Sequence, residues 1–341
     1  MNAITLATGL VERTPIPDSV VRLGIAVLCE RTNRKLAAAT ATVNRDFAAS
    51  TVSLPIAEHV ADANTQHYEV PAAFFEAVLG PQRKYSCCLF NSPGEDLSAA
   101  EERALVETAA HAGLADGQAI LELGCGWGSL SLWMARHYPM ARILAVSNSH
   151  SQREFIARRA RTEGLTNLSV VTADMNVFSP EVTFDRIVSV EMFEHMLNWR
   201  RLLGRVRSWL KPDGRFFMHV FTHDHAPYRF DHRDTEDWIA QHFFTGGIMP
   251  SHGFIGEFAD ILAVEEDWRW SGTHYRDTAR AWLKNLDENK DAVRRILVGV
   301  YGSDADLWLR RWRLFFLATE GLFGYANGKV WGVSHYRLKP A

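Results

Sequence analysis

The sequence predicts an α/β protein with a Rossmann-like parallel sheet, a helical N-terminal arm and a helical lid. Three observations carry that expectation. Apolar strand-like runs alternate with helix-like stretches between Ala119 and Phe221, the rhythm of βαβ units. A glycine-rich turn, Gly124-Cys125-Gly126-Trp127-Gly128, joins the first run to the helix after it. Beyond Phe221 the rhythm stops, and long helical periods follow a stretch rich in His, Asp, Phe and Gly.

Taken in order, residues 1 to about 60 read as helical, with breaks at Pro15, Pro17 and Pro55. Residues 64–94 read as a mixed arm that holds Tyr85-Ser86-Cys87-Cys88 and ends in a Pro93-Gly94 turn. Glu101–His111 is a helix. Strands are expected at Ala119–Leu123, Arg142–Val146, Leu168–Thr172, Phe184–Val190 and, after a Lys-Pro-Asp-Gly turn, Gly214–Phe221. Helices are expected at Ser129–His137, from Ser151, and around Trp199–Leu210. A sixth strand fits Leu262–Trp270 and a last one Lys329–Arg337. Between them lie helices Tyr275–Asn285, Asp291–Tyr301 and Asp304–Phe323. The division this implies is an arm over 1–95 that closes over a cofactor, then a core over 96–341 with a substrate lid at about 222–325.

Composition narrows the function. Of 341 residues 47% are hydrophobic and 23% charged, and the net charge of −3 lacks the basic excess of a nucleic-acid binder. The basic run Arg153–Arg161 reads as a solvated helix face. No apolar run reaches the roughly 18 residues of a membrane span, and no secretory signal opens the chain. The four cysteines include vicinal Cys87 and Cys88 and form no CxxC pair, so reduced thiols in the cytoplasm are expected. His223, His225 and His232 fit no metal-site spacing, and no metal is expected. Eleven Trp and nineteen Phe suit a core, or an enclosure for an apolar or cationic substrate.

The glycine turn differs from the GxGxxG dinucleotide fingerprint because its glycines alternate, and no lysine marks a triphosphate loop. Glu122 at the strand end suits a ligand that carries an amine or sulfonium. The second strand ends in Val146-Ser147-Asn148-Ser149, without the ribose-binding acid of a nicotinamide dehydrogenase.

Further motifs occur in a fixed order: Lys84-Tyr85-Ser86-Cys87-Cys88-Leu89-Phe90, Leu121 to Gly128, Ser189-Val190-Glu191-Met192-Phe193-Glu194-His195-Met196, and His274-Tyr275 with Thr278 and Trp282. Together they resemble the cyclopropane-fatty-acyl-phospholipid synthase family of S-adenosylmethionine-dependent methyltransferases, over roughly residues 64–338. Within that family the chain is most similar to the coclaurine (benzylisoquinoline) N-methyltransferase branch. Lipid cyclopropane synthases typically have glycine where this chain has Glu191. Phe243-Phe244-Thr245-Gly246-Gly247-Ile248-Met249-Pro250 also resembles the N-methyltransferases.

The resemblance implies a seven-strand class I methyltransferase sheet, S-adenosylmethionine as cofactor and S-adenosylhomocysteine as product. Tyr85, Ser86, Glu122, Gly124 and Gly126 would hold its methionine part, Asn148 and Gln152 the ribose, and Asp174 and Met175 the adenine. Glu191, Glu194 and His195 are the implied catalytic set, with Glu194 and His195 nearest the substrate and Glu191 as supporting anion or alternative base. His219, Phe243, Phe244, Tyr275 and Trp331 are expected to face the substrate, with Trp238 and Trp268 as further aromatic candidates. In cyclopropane synthases bicarbonate is the base, and its ligands would correspond to Cys87, Glu194, His219 and Tyr275. A carboxylate at 191 would take the anion's place, since two packed anions repel. The expected activity is N-methylation of a small, tetrahydroisoquinoline-like amine by a homodimer. The alternatives are cyclopropanation or methylation of unsaturated acyl lipids, and a non-catalytic cofactor-binding scaffold.

Overall fold

The computed structural model describes residues 3–58, 70–92 and 94–341. Pro93 of the expected turn and positions 64–69 of the expected mixed arm lie outside the described residues. Four runs, β1 (Ala119–Leu123), β2 (Arg142–Ser147), β3 (Leu168–Thr172) and β4 (Phe184–Val190), lie parallel, with β5 (Leu210–His223) parallel to β4. A short antiparallel pair, β6 (Tyr228–Arg229) and β7 (Ile248–Met249), stands apart. The last strands, β8 (Leu262–Trp270) and β9 (Trp331–Pro340), close the main sheet in antiparallel fashion. Its order is β3-β2-β1-β4-β5-β9-β8.

Every residue of β1 is buried, as a central parallel strand covered on both faces requires. The chain switches direction about β1, with β2 on one side and β4 on the other. In such sheets a crevice opens at the strand C-termini beside the switch point. Register brings chemistry to that edge: Leu123 stands beside Val146 and Ser189, and Val190 beside His219.

Helices α1 (Ala3–Arg13), α2 (Asp18–Ala37) and α3 (Val43–Thr51) form the N-terminal part, and α4 (Ala72–Val78) precedes the Tyr85 segment. The sheet is flanked by α5 (Leu97–Ala112), α6 (Ser129–His137), α7 (His150–Thr162) and α8 (Trp199–Trp209). A short α9 (Trp238–His242) interrupts the aperiodic stretch. Helices α10 (Gly272–Glu288), α11 (Lys290–Tyr301) and α12 (Ala305–Gly324) follow β8. The N-terminal helices are fastened to this late helical layer. Glu320, nearly buried, accepts from Arg22 of α2 and Arg280 of α10. Glu12 accepts from Trp238 and Arg311.

Several boundaries differ from expectation, among them those of α5, which starts at Leu97 rather than Glu101, and α10, which starts at Gly272 rather than Tyr275. β5 starts at Leu210 and absorbs the Lys-Pro-Asp-Gly turn as an irregularity opposite Phe184 and Arg186. β9 starts at Trp331, because Gly328 at φ 71° and helical Lys329 still belong to the turn. The short helices α4 and α9 and the β6–β7 pair were not expected, being too brief to show a period.

Candidate active site

The glycine turn is built by backbone conformation. Gly124, Gly126 and Gly128 have φ of 77°, 51° and 82°, the left-handed region that side chains resist. The amides of Gly124 and Cys125 both donate to the Val146 carbonyl at 3.0 Å, fixing the turn to β2. A Cβ on Gly124 would lie 2.5 Å from Met192 Cγ and one on Gly128 2.6 Å from Ile156 Cγ1, whereas one on Gly126 would meet nothing within 4 Å. Gly126 therefore faces open space.

That space is a cleft of about 1570 Å³, its open mouth included, at the C-terminal edge of the sheet. Tyr85, Ser86, Glu122, Gly124, Gly126, Asn148, Gln152, Asp174 and Met175 all line it. Buried Ser147 donates to Gln152 Oε1 at 2.7 Å, which holds that amide under the wall. Asp174 Oδ1 accepts from the Asn176 amide and side chain at 2.8 and 3.1 Å. Glu122 is 3% exposed and accepts from Ser131. Burial pushes its carboxyl up to about 8, so it is tuned for a cationic neighbour. Three buried atoms on the wall, Thr108 Oγ1, Trp127 Nε1 and Ser129 Oγ, have no hydrogen-bond partner among the described residues. Buried polar groups are rarely left so, and a polar ligand filling the cleft would satisfy them. A buried acid, an exposed glycine backbone and these orphaned donors fit an aminoacyl nucleoside such as S-adenosylmethionine. Of the orphans, Trp127 and Ser129 sit in or beside the turn already singled out. Thr108 lies on α5, whose sequence carries no ligand signal.

The second half of the cleft centres on Glu191, which has φ 48°. Its Oε1 accepts from the Cys87 amide at 2.8 Å and approaches His219 Nε2 at 3.1 Å. Its Oε2 accepts from the Tyr275 hydroxyl at 2.7 Å. Cys87, His219 and Tyr275 are three of the four residues that the resemblance assigns to bicarbonate, and here they surround the chain's own carboxylate. Lys84, buried, holds Ser86 Oγ at 2.5 Å and the Cys87 carbonyl at 2.7 Å, and its charge favours the Glu191 anion. Burial nevertheless raises Glu191 above the usual carboxylate range, against Lys84, the Cys87 amide, Tyr275 and His195. Glu194 is raised much further, by burial and by the Glu191 charge. The pair shares charge unequally, and Glu194 is the member that stays protonated.

Glu191, His195, Phe244 and Tyr275 line the cleft. The ring of His195 stacks on Phe244 with centroids 5.0 Å apart. The placement of Glu194 departs from expectation. It is fully buried behind the wall, where Oε1 accepts from the Phe221 amide at 2.7 Å and Oε2 has no partner. Glu191, not Glu194, thus stands with His195 at the surface of the cleft. His219 touches the cleft only through Glu191. Phe243 faces away, fully buried and stacked on Phe315 at 4.4 Å. Trp331 is also fully buried and donates to the Tyr228 hydroxyl at 3.3 Å. Trp238 is turned toward Glu12, and Trp268 stacks on His111. These four aromatics are structural, and the aromatic wall is Phe221, Phe244, Trp282 and Phe315.

Comparison with known proteins agrees with this geometry. The family model for mycolic acid cyclopropane synthetase matches residues 57–332. The chain belongs to that family. It is an S-adenosylmethionine-dependent methyltransferase with the seven-strand sheet of class I. (S)-Coclaurine N-methyltransferase from Thalictrum flavum subsp. glaucum is 36% identical over 291 residues, 84% of this chain and 81% of that one. Cyclopropane-fatty-acyl-phospholipid synthase from Escherichia coli (strain K12) is 31% identical over 223 residues, 65% of this chain and 55% of that one. A crystal structure of coclaurine N-methyltransferase bound to N-methylheliamine and S-adenosylhomocysteine superposes with a TM-score of 0.95 at 32% identity, covering 99% of this chain and 100% of that one.

Proposed function

We propose that this enzyme methylates the nitrogen of a small amine of the tetrahydroisoquinoline kind. The observation that carries the reading is the Glu191 carboxylate, held by the Cys87 amide, His219 and Tyr275 where the resemblance would put bicarbonate. The named N-methyltransferases among the relatives support it.

The cofactor would be held by Glu122 at its amino-acid end, Tyr85 and Ser86 at the carboxylate, Asn148 and Gln152 at the ribose, and Asp174 and Met175 at the base. When bound, it supplies an electrophilic methyl group on a sulfonium. The protein's part is to present the acceptor as a neutral amine behind that methyl, where proximity supplies much of the rate. Glu191 attracts the ammonium form and takes its proton on a carboxylate oxygen, and His195 offers a second nitrogen on the same wall. Tyr275, His219 and the Cys87 amide hold the Glu191 carboxylate in one orientation. Glu194 stands behind Glu191 as its protonated neighbour, kept neutral by burial and by the Glu191 charge. Phe221, Phe244, Trp282 and Phe315 cover the apolar body of the amine and face its charge with π-electrons.

The N-terminal arm, 1–95, belongs to this reading as the part that closes over the cofactor; Ala57, Glu58 and Arg83 to Ser86 line the cleft. So do a homodimer and a cytoplasmic location. The exposed stripe Val20, Leu23 and Val27 on α2 suits pairing, and the four buried, unpaired cysteines suit a reducing compartment. Among the described residues no helix is long and apolar enough to cross a membrane.

The deciding experiment measures S-adenosylhomocysteine release with secondary and tertiary amines, tetrahydroisoquinolines included, beside vesicles of unsaturated phospholipid. Turnover with amines that is lost in Glu191→Ala supports the reading. Turnover with the vesicles alone overturns it in favour of lipid chemistry.

A further inference from the structure

Glu191 is the inner end of a chain of close contacts that crosses the sheet to the surface. His219 Nε2 lies 3.1 Å from Glu191 Oε1. His219 Nδ1 lies 2.8 Å from His335 Nε2. His335 Nδ1 lies 2.8 Å from His111 Nδ1. His111 Nε2 lies 3.1 Å from Oε1 of Glu107, whose side chain is 43% exposed. Three elements contribute, and the antiparallel register of β5 and β9 places His219 opposite His335. The rings are held by aromatic contacts: His111 stacks on Trp268 at 3.8 Å and 5°, and His335 packs against Trp270 at 4.3 Å with the rings tilted at 55°.

Counting protons gives the chain its meaning. Each of its contacts is a hydrogen bond only when one proton lies between the two atoms. Three neutral imidazoles provide one proton fewer than the contacts need. The remaining proton sits on a carboxyl group or makes one ring an imidazolium. Burial pushes His219 and His335 well below the usual histidine range, so neither interior ring keeps it. It therefore resides at one end, on Glu191 or on the His111–Glu107 pair.

We propose that His219, His335 and His111 form a proton relay that sets the charge of Glu191 according to what occupies the cleft. It rests on the amine reading above, which gives the switch its purpose. With no cation in the cleft, Glu191 is a neutral acid whose Oε1–H points to His219 Nε2, and all three rings are neutral. A cation favours the Glu191 anion. The Oε1–H bond then breaks as His219 Nε2–H forms, the His219 Nδ1 proton passes to His335 Nε2, and the His335 Nδ1 proton passes to His111 Nδ1. His111 becomes an imidazolium whose Nε2–H donates to Glu107. No proton is gained or lost, and no water enters the cleft.

The groups around both ends suit these two states. His111 faces Glu107 on its own helix and Glu266 and Arg337 from the sheet. Burial is the leading cause that lowers it, while Glu107 and Glu266 pull it back up. Glu191 faces Lys84, Glu194, His195 and Tyr275.

The cofactor and its product supply the test, since S-adenosylmethionine carries a sulfonium charge that S-adenosylhomocysteine lacks. The titration of His111 is followed by ring ¹⁵N NMR on histidine-labelled protein saturated with each, and saturation is checked by calorimetry. Through space, the extra cation would lower the His111 midpoint. The relay predicts the opposite sign: a midpoint about one pH unit higher with S-adenosylmethionine, and, in His335→Phe, a midpoint no higher with S-adenosylmethionine than with S-adenosylhomocysteine. Should that variant not fold, Glu191→Gln, which cannot take the proton, serves as the broken relay. A wild-type midpoint that is equal for the two ligands, or lower with S-adenosylmethionine, overturns the proposal. Neither ligand needs an acceptor, so failure of the amine reading would leave this result standing.

Discussion

Glu191 has a φ of 48°, a conformation that costs a residue with a side chain about 1–2 kcal/mol. Glycine, the residue the lipid cyclopropane synthases typically carry there, would adopt it without that cost, so the carboxylate is retained against the backbone's preference. Glu191→Gly should therefore fold at least as stably as wild type while methylating amines about a hundredfold more slowly. It also empties the space between the Cys87 amide, His219 and Tyr275. Added bicarbonate should then restore part of the rate in Glu191→Gly and leave wild type unchanged. A wild-type enzyme that gains activity from bicarbonate would show that Glu191 does not fill the anion's place. At this scale residue types were easier to read than directions. Phe243 and Phe244 are adjacent and alike, yet one is core and the other lines the cleft, because α9 ends at His242 and Phe243, its C-cap, leaves the helical path at φ −136°. Glu194 could not be told from Glu191 for a related reason: the short 3₁₀ turn Phe193–His195 has no period to show which carboxylate faces in.

The glycine turn was legible because its function depends on the backbone, and glycine at alternate positions records that demand in the sequence. The structure separates the roles of the glycines. Gly124→Ala drives a Cβ into Met192 and should cost about 2 kcal/mol of stability, measurable by denaturant unfolding. Gly126→Ala meets no protein atom, so it should lose only about 1 kcal/mol while weakening S-adenosylhomocysteine binding by calorimetry at least as much as Gly124→Ala does. Unchanged affinity in Gly126→Ala would remove the turn from the cofactor site. At the end of β1, Glu122 is raised to about 8 by burial. The folded, ligand-free protein then holds a proton there that the unfolded chain releases near its ordinary value, about 4.3. Stability from this group is complete below that value and is lost as pH rises toward 8. The ligand-free Glu122→Gln variant should accordingly show a flatter fall of Tm between pH 5 and 8 than wild type. Equal slopes would mean that Glu122 is charged in the empty protein. The histidine chain was invisible at the level of elements. His111, His219 and His335 lie on a helix and two strands that meet only through the sheet order, and no local spacing marks them.

Across the whole molecule the alternation of strands and helices was legible in the sequence, whereas the antiparallel return of β8 and β9 and the way the N-terminal arm reaches the cleft were not. Its helices look like ordinary amphipathic helices, and their partners lie far along the chain. The connection runs through a few polar side chains. Asn198, 3% exposed, caps α8 by accepting from the Arg201 amide at 2.9 Å, while its Nδ2 donates to the carbonyls of Val52 and Leu54, both at 2.9 Å. The Leu197 amide donates to Ile56 at 2.7 Å, and Asn176, which bonds Asp174, exchanges two bonds with Ala57. One segment, residues 52–57, is thus fastened to the loops after β3 and β4 that carry Asp174 and Glu191. Asn198→Ala removes the cap and both arm bonds, so it should destabilise by about 2–3 kcal/mol. If the arm and the cleft are coupled through this segment, two further changes should accompany the loss. Amide exchange should rise over 43–57, and S-adenosylhomocysteine affinity should fall several-fold, although Asn198 touches neither the cleft nor its ligand. A loss of stability with exchange and affinity unchanged would mean that the arm is only attached to the core and that cofactor closure depends on the Arg83–Ser86 segment alone.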